Sequence, residues 1–216
     1  MPDPLPESPG LTETGRLEAF CDGVFAIAIT LLVLEIRVPE PEAAHHAGSL
    51  VRALGALWPS FLGYAIGFLT IGIMWANHHA IFQYVRRSDR YFLMINVVFL
   101  MLIAFLPFPT ALLAAYLAEA GERRTAVLVY GATVWLIALA FNAVWWYAVR
   151  RGLLDPAADR VAVRTISARY KLGPLAYAGV LLLAFVTPWA SLVGHFALAA
   201  LYLLPERAPA TSARTT

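Results

Sequence analysis

Apolar runs long enough to cross a lipid bilayer recur along the whole chain, and that repetition leaves few folds open to it. Hydrophobic residues make up 60% of the 216 and charged residues only 14%, with a mean hydropathy of +0.68, which excludes a soluble domain. Stretches that approach or exceed 18 apolar residues read as transmembrane helices. The expected fold is an all-α integral membrane protein, one unit of six transmembrane helices at residues 16–38, 59–83, 91–117, 125–149, 172–187 and 188–204.

The residues between the runs support that division. Residues 1–15 mix acids with prolines and lack the basic start of a secretory signal, so a disordered tail is expected there, and a second tail at 205–216. Residues 37–49 hold Pro39, Glu40, Pro41, Glu42, His45 and His46, the composition of a solvent-exposed connection. Adjacent histidines can bind a metal, but in a polar loop they are more often solvated, and no metal site is assigned. Trp58-Pro59 marks a kink or a fresh helical start, and Pro107 with Pro109 predicts a bend late in the third span. Trp145, Trp146 and Tyr147 suit an interfacial belt at the end of the fourth. Over 157–170, charge alternates with Val161, Val163 and Ile166, which fits a short helix on the membrane surface as well as a solvated linker. The apolar stretch 172–204, interrupted by Thr187-Pro188, predicts a short helical hairpin.

The net charge of +2 bears on orientation rather than on partners, and no nucleic acid is expected to bind. Every basic residue but Lys171 is an arginine, and the connections after the second and fourth spans hold three and six of the basic residues. By the positive-inside rule those connections and both termini belong in the cytoplasm, with the chain in the plasma membrane. A single cysteine, Cys21, excludes an intrachain disulfide and any cysteine-rich metal centre.

The first span is unlike a simple anchor, because it carries Asp22 before its apolar run and Glu35 near the end. At 100° per residue, Ile27, Leu31 and Leu34 share a narrow stripe with Thr30 on its shoulder, and Asp22 points away from them. A carboxylate there is costly in lipid and needs a partner inside the protein. Periodicity alone fits two arrangements equally: a helix lining something, or an ordinary first helix whose leucines face neighbours or lipid.

Arg16, Phe20, Cys21 and Asp22 form R-x-x-x-F-C-D, which resembles the R-x-x-x-F-S-D signature opening the first helix of the transmembrane protein 175 family of potassium channels. The following G-V-F-A-I-A-I-T-L-L-V-L-E-I is similar to the family's prokaryotic members. So are Trp75-Ala76-Asn77-His78-His79 on the second span, and Asn96 and Pro107-Phe108-Pro109-Thr110 on the third. The resemblance is sharp over the first half of the chain and rests on layout in the rest. Cys21 replaces the motif's serine, and as a weaker hydrogen-bond partner it does not carry over a hydroxyl role.

The resemblance implies a homotetramer whose first helices line a central pore. Ile27, Leu31 and Leu34, with the Thr30 hydroxyl nearby, would then form a hydrophobic constriction that controls hydrated ions. No T-V-G-Y-G-like loop is present, so modest selectivity for potassium over sodium would follow from the cheaper dehydration of the larger ion. Glu35 would sit at the pore mouth, with pairing to Arg37 or exposure to water as alternatives. The expected ligand is the permeant potassium ion, without a cofactor. Vertebrate members carry two such units; no internal repeat is visible here, so oligomerisation must multiply the unit. Arg16, Phe20, Asp22, Asn77, His78, His79 and Asn96 are expected to form a buried polar network that fixes helix register. Either histidine could make conduction pH-sensitive.

The main rival is a proton-coupled secondary transporter using Asp22 with His78 or His79 as a relay. A haem or metal enzyme using His78, His79 and His195 is disfavoured, because adjacent helical histidines point about 100° apart. The chain lacks G-x-x-x-x-G-K-[ST], H-E-x-x-H and a nucleophile elbow, and no enzymatic activity is expected.

Overall fold

The computed structural model describes residues 12–203; the expected tails, apart from the residues discussed below, lie outside the described residues. Two short strands, β1 (Thr12–Glu13) and β2 (Arg87–Ser88), accompany a helical bundle. Its helices are α1 (Gly15–Leu31), α2 (Pro41–His46), α3 (Leu50–Ala56), α4 (Trp58–Phe82), α5 (Arg90–Phe105), α6 (Pro107–Tyr116), α7 (Arg123–Arg151), α8 (Arg160–Val186) and α9 (Pro188–Leu203). A 3-10 turn, Leu32–Glu35, extends α1.

Among the described residues, five segments are long and apolar enough to cross a membrane: Gly15–Glu35, Trp58–Phe82, Arg90–Tyr116, Arg123–Arg151 and Arg160–Val186. The sixth expected span is α9, whose 16 residues reach about 24 Å at 1.5 Å per residue, short of the roughly 30 Å hydrocarbon core. Within 37–49 the chain forms α2 rather than staying irregular, and Ser49 caps α3 by accepting from the Arg52 N–H.

α7 is the centre of the bundle, packed against α5, α6, α8 and α9, while α4 packs against α1, α6 and α9. Lipid tails are as apolar as leucine, so close van der Waals packing rather than the hydrophobic effect must hold such helices together. Gly63 and Gly67, one turn apart on α4, supply that closeness. A Cβ at Gly67 would lie 3.0 Å from Leu32 Cδ2 and 3.1 Å from Thr110 Cγ2. Thr110 cannot readily turn away, because its hydroxyl donates to the Leu106 carbonyl at 2.9 Å. Gly67→Ala is therefore expected to destabilise the protein by about 1–2 kcal/mol through overpacking, read as a lower thermal midpoint in detergent.

The bend expected in the third span falls at Leu106, between α5 and α6. Pro107 has no N–H to continue the ladder, and the Leu106 N–H bonds the Ile103 carbonyl in a tightened turn. At the other end of the bundle, α7 closes on Gly152, which is left-handed at φ 66°.

Two expectations are corrected. The helix that carries the fifth span begins at Arg160 rather than near 172, so 160–170 is its first part and not a separate short helix or a linker. Asp159 caps α8 by accepting from the Val161 N–H at 2.8 Å, and the helix runs unbroken from Arg160 through Pro174 to Val186. Its polar first turns lie against α7, where Trp145 Nε1 donates to Ser167 Oγ at 3.0 Å and the Trp145 and Tyr170 rings meet edge to face. Likewise, Thr12 and Glu13 are not part of a disordered tail. They pair antiparallel with Ser88 and Arg87, and the Thr14 hydroxyl donates to the Val85 carbonyl. The same 84–87 turn binds the α7–α8 connection through Arg86 N–H to Leu153 O and Asp155 N–H to Tyr84 O. Asp89 then caps α5 and accepts from the Tyr147 hydroxyl through both carboxylate oxygens.

Candidate functional site

α1 has two faces of different character. Cys21, Phe25, Ala28 and, in the 3-10 turn, Leu32 recur at helical spacing and are fully buried against the bundle. The opposite stripe is exposed on the protomer: Phe20 at 58%, Ile27 at 62%, Leu31 at 41% and Leu34 at 69%. Only 22% of the first span is buried inside the protomer, against 44–50% for the next three, so α1 is a flank of the bundle rather than its centre. Thr30 is exposed on the same side, and its hydroxyl donates to the Ile27 carbonyl of its own helix at 2.9 Å. Glu35 and Arg37 are exposed beyond the stripe and line one open groove with Ser60 and Phe108. Among the described residues neither joins an ion pair.

The other flank of α1 meets α4 through a polar seam. Trp75 Nε1 donates to Asp22 Oδ1 at 2.9 Å, and Glu18 Oε1 lies 3.0 Å from His79 Nδ1. The Trp75 and His79 rings stack at 6.1 Å. The expected network is thus only partly assembled. Phe20 faces outward and Arg16 is exposed, because both lie on the side of α1 turned from the bundle. Asn77 donates to the Ile73 carbonyl of its own helix at 2.9 Å. Glu18 is the residue that sequence reasoning missed, and Trp75, part of the second-span motif, was not assigned to the network. A signal for them existed: the acids at 18 and 22 and the partners at 79 and 75 are each four apart, which matches two antiparallel helices side by side.

His78 and Asn96 form a separate pair deeper in the core. His78 is 0% exposed, and its Nε2 lies 3.1 Å from Asn96 Oδ1. The Asn96 amide donates to the Phe92 carbonyl at 2.9 Å, so Oδ1 is the acceptor and His78 Nε2 carries the proton. The ring is enclosed by Phe99, stacked at 5.4 Å, and by Phe82 and Phe25 at 4.6 and 5.6 Å. Asp22 is hydrogen-bonded to Trp75 and to neither histidine, so the proposed Asp22–histidine relay is not assembled in this structure. No cluster of three histidine, cysteine or acidic side chains suited to a metal occurs among the described residues.

Fold and site define a polytopic helical membrane protein whose first span is packed on one face and open on the other. The sequence profile described as endosomal/lysosomal potassium channel TMEM175 matches residues 16–107, the stretch that holds α1, the seam and the His78–Asn96 pair. A protein of Streptomyces collinus named a potassium channel is 48% identical over 193 residues, covering 89% of this chain and 92% of that one. The crystal structure of a lysosomal potassium-selective channel TMEM175 homolog from Chamaesiphon minutus superposes with a TM-score of 0.80 at 46% identity. It matches 88% of this chain and 95% of its own. Rat TMEM175, named an endosomal/lysosomal proton channel, is 36% identical over 149 residues, which span 66% of this chain and 30% of the rat protein. This chain belongs to the TMEM175 family, a family of channels and not of enzymes.

Proposed function

We propose that this chain is the protomer of a potassium-permeable cation channel, a homotetramer of six-span units in the plasma membrane with both termini in the cytoplasm. The observation that carries this reading is the outward stripe of Ile27, Leu31 and Leu34 on a helix whose opposite face builds the core. Four such helices around an axis would stack rings of branched aliphatic side chains, and a narrow apolar path admits an ion only at the cost of dehydration. That cost is smaller for potassium than for sodium, so the selectivity should be modest, with the Thr30 hydroxyl as an aid and Glu35 concentrating cations at the mouth. The bacterial relatives named potassium channels support the choice of ion. No cofactor is required; the ligand is the permeant ion.

The test is cation flux into liposomes holding the purified full-length protein. The expected result is flux without a proton gradient, larger for potassium than for sodium. Leu31→Ala should raise it and narrow the difference between the ions, because a methyl group in place of an isobutyl group widens and wets the constriction. Flux that requires a proton gradient, is abolished by Asp22→Asn and ignores Leu31→Ala would instead make the protein a proton-coupled transporter.

A further inference from the structure

Away from α1, the interior where α4, α7, α8 and α9 meet holds a second buried histidine with no role in the proposed channel. His195 on α9 is 5% exposed, and its Nδ1 lies 2.9 Å from the Ser191 carbonyl. A carbonyl only accepts, so Nδ1 carries the proton and Nε2 presents a lone pair. Among the described residues that Nε2 has no hydrogen-bond partner, and neither has the buried Ser191 hydroxyl. The imidazole is placed deliberately close to α7. A Cβ at Gly131 would lie 3.2 Å from His195 Cε1 and 3.5 Å from Nε2, so the absence of a side chain there makes room for the ring. Tyr130 and Tyr177 flank it at 5.6 and 6.2 Å.

An apolar neighbour would leave the Nε2 lone pair buried and unpaired, a cost of about 1–3 kcal/mol. The structure instead leaves a cavity beside His195, walled by Thr70, Ile73, Met74, Val134 and Tyr177, with ≈ 10 Å³ for the centre of a water molecule. That is about what one water needs, provided two or more polar partners face it. Partners are at hand. Thr70 and Tyr130 share one hydrogen bond of 3.1 Å between their hydroxyls, so one of the two hydroxyl hydrogens remains to be donated elsewhere. A second cavity of ≈ 30 Å³ shares Ile73, Met74 and Tyr177 as walls and ends at Asn77 and Asn142. Each of these amides spends one N–H on its own helix, which leaves an N–H and a carbonyl oxygen apiece for water.

We propose that this pocket is a water-binding site built into each protomer, in which His195 Nε2 accepts a hydrogen bond from a water that the Thr70–Tyr130 hydroxyl pair holds from the other side. The ligand class is a neutral, water-sized hydrogen-bond donor, because the cavity is small and its lining offers no carboxylate to balance a cation. The inference rests on the fold and not on the channel reading.

Solid-state nitrogen-15 NMR of histidine-labelled full-length protein in lipid vesicles tests it, with His195→Phe used to assign the His195 signals. The expected spectrum is that of a neutral ring protonated at Nδ1, with magnetisation passing from water protons to Nε2. Thr70→Val, which keeps the shape and removes the hydroxyl, should reduce that transfer more than twofold; Tyr130→Phe serves as the second variant and should act in the same direction. The exposed His45 and His46 supply the positive control for water contact in the same sample. Absence of transfer to His195 Nε2 while those two show it, or transfer unchanged in both hydroxyl variants, would overturn the proposal.

Discussion

Phe25→Ala is expected to destabilise the protomer by about 3–5 kcal/mol, the largest effect of any single truncation on α1. Four fully buried side chains of α1 and its 3-10 extension pack against the bundle, and Phe25 is the bulkiest of them, set against the His78 and Phe99 rings at 5.6 and 5.9 Å. Removing the phenyl group opens a cavity that the neighbouring rings cannot fill, since they are held against one another. The matched control is Phe20→Ala, five residues earlier on the exposed stripe, which should change the stability of the separated protomer by no more than about 0.5 kcal/mol. Thermal unfolding of both variants in detergent, beside their oligomeric state, makes the comparison. Equal losses of protomer stability would mean that the packed and open faces of α1 have been assigned wrongly.

His78→Leu is the second large effect, with an expected cost of about 2–3 kcal/mol. It strips the partner from the buried Asn96 Oδ1 and removes the ring stacked on Phe99. Asn96→Leu should cost less, because the aromatic cage survives it. The double variant should cost less than the sum of the two, since no orphaned polar atom of the pair is left behind. The coupling is expected at about 0.6–1.7 kcal/mol, smaller than the bare bond, because a chain unfolded in detergent or lipid also finds partners for its polar groups. A double-mutant cycle on unfolding midpoints measures it. Additive losses would show that the 3.1 Å contact contributes nothing beyond shape.

Both experiments address contacts that were only half visible in the chain. The polar residues of the seam were recognisable as costly in lipid, which marked Asp22, His78, His79 and Asn96 as needing partners. Their pairing was not recognisable, because it depends on how far α4 is slid along α1. One register gives Asp22 to Trp75 and His79 to Glu18; a shift of one turn would reassign both. The indole N–H of Trp75 is legible in the chain as a group that needs a partner in lipid, but it becomes a network member only when a carboxylate faces it.

Helix boundaries divide in the same way. The start of α4 at Trp58 and the break at Leu106 follow from Pro59, Pro107 and Pro109, whose missing N–H groups act on their own turn of chain. The start of α8 does not follow from hydropathy, which places the fifth span at 172. Arg160, Arg164 and Arg169 obscure a helix whose first turns are held to α7 by the Ser167–Trp145 bond and the Tyr170 ring. In the same way Thr12 and Glu13 read as tail until the α4–α5 turn offers them a strand to pair with.

The chain alone thus determined that it lives in a membrane as a helical bundle, where most of its spans lie, and that Ile27, Leu31 and Leu34 share one side of the first of them. Those properties are set within some twenty consecutive residues, by the cost of exposing backbone and charge to hydrocarbon and by a fixed turn of 100° per residue. Which side of α1 is sealed and which stays open, which acid meets which ring, and that His195 ends beside a water-sized hollow were decided only when distant helices packed. Such contacts join residues from 53 positions apart, as with Asp22 and Trp75, to more than a hundred, as with Thr70 and His195, and no local property of the sequence encodes the slide and rotation that bring them together.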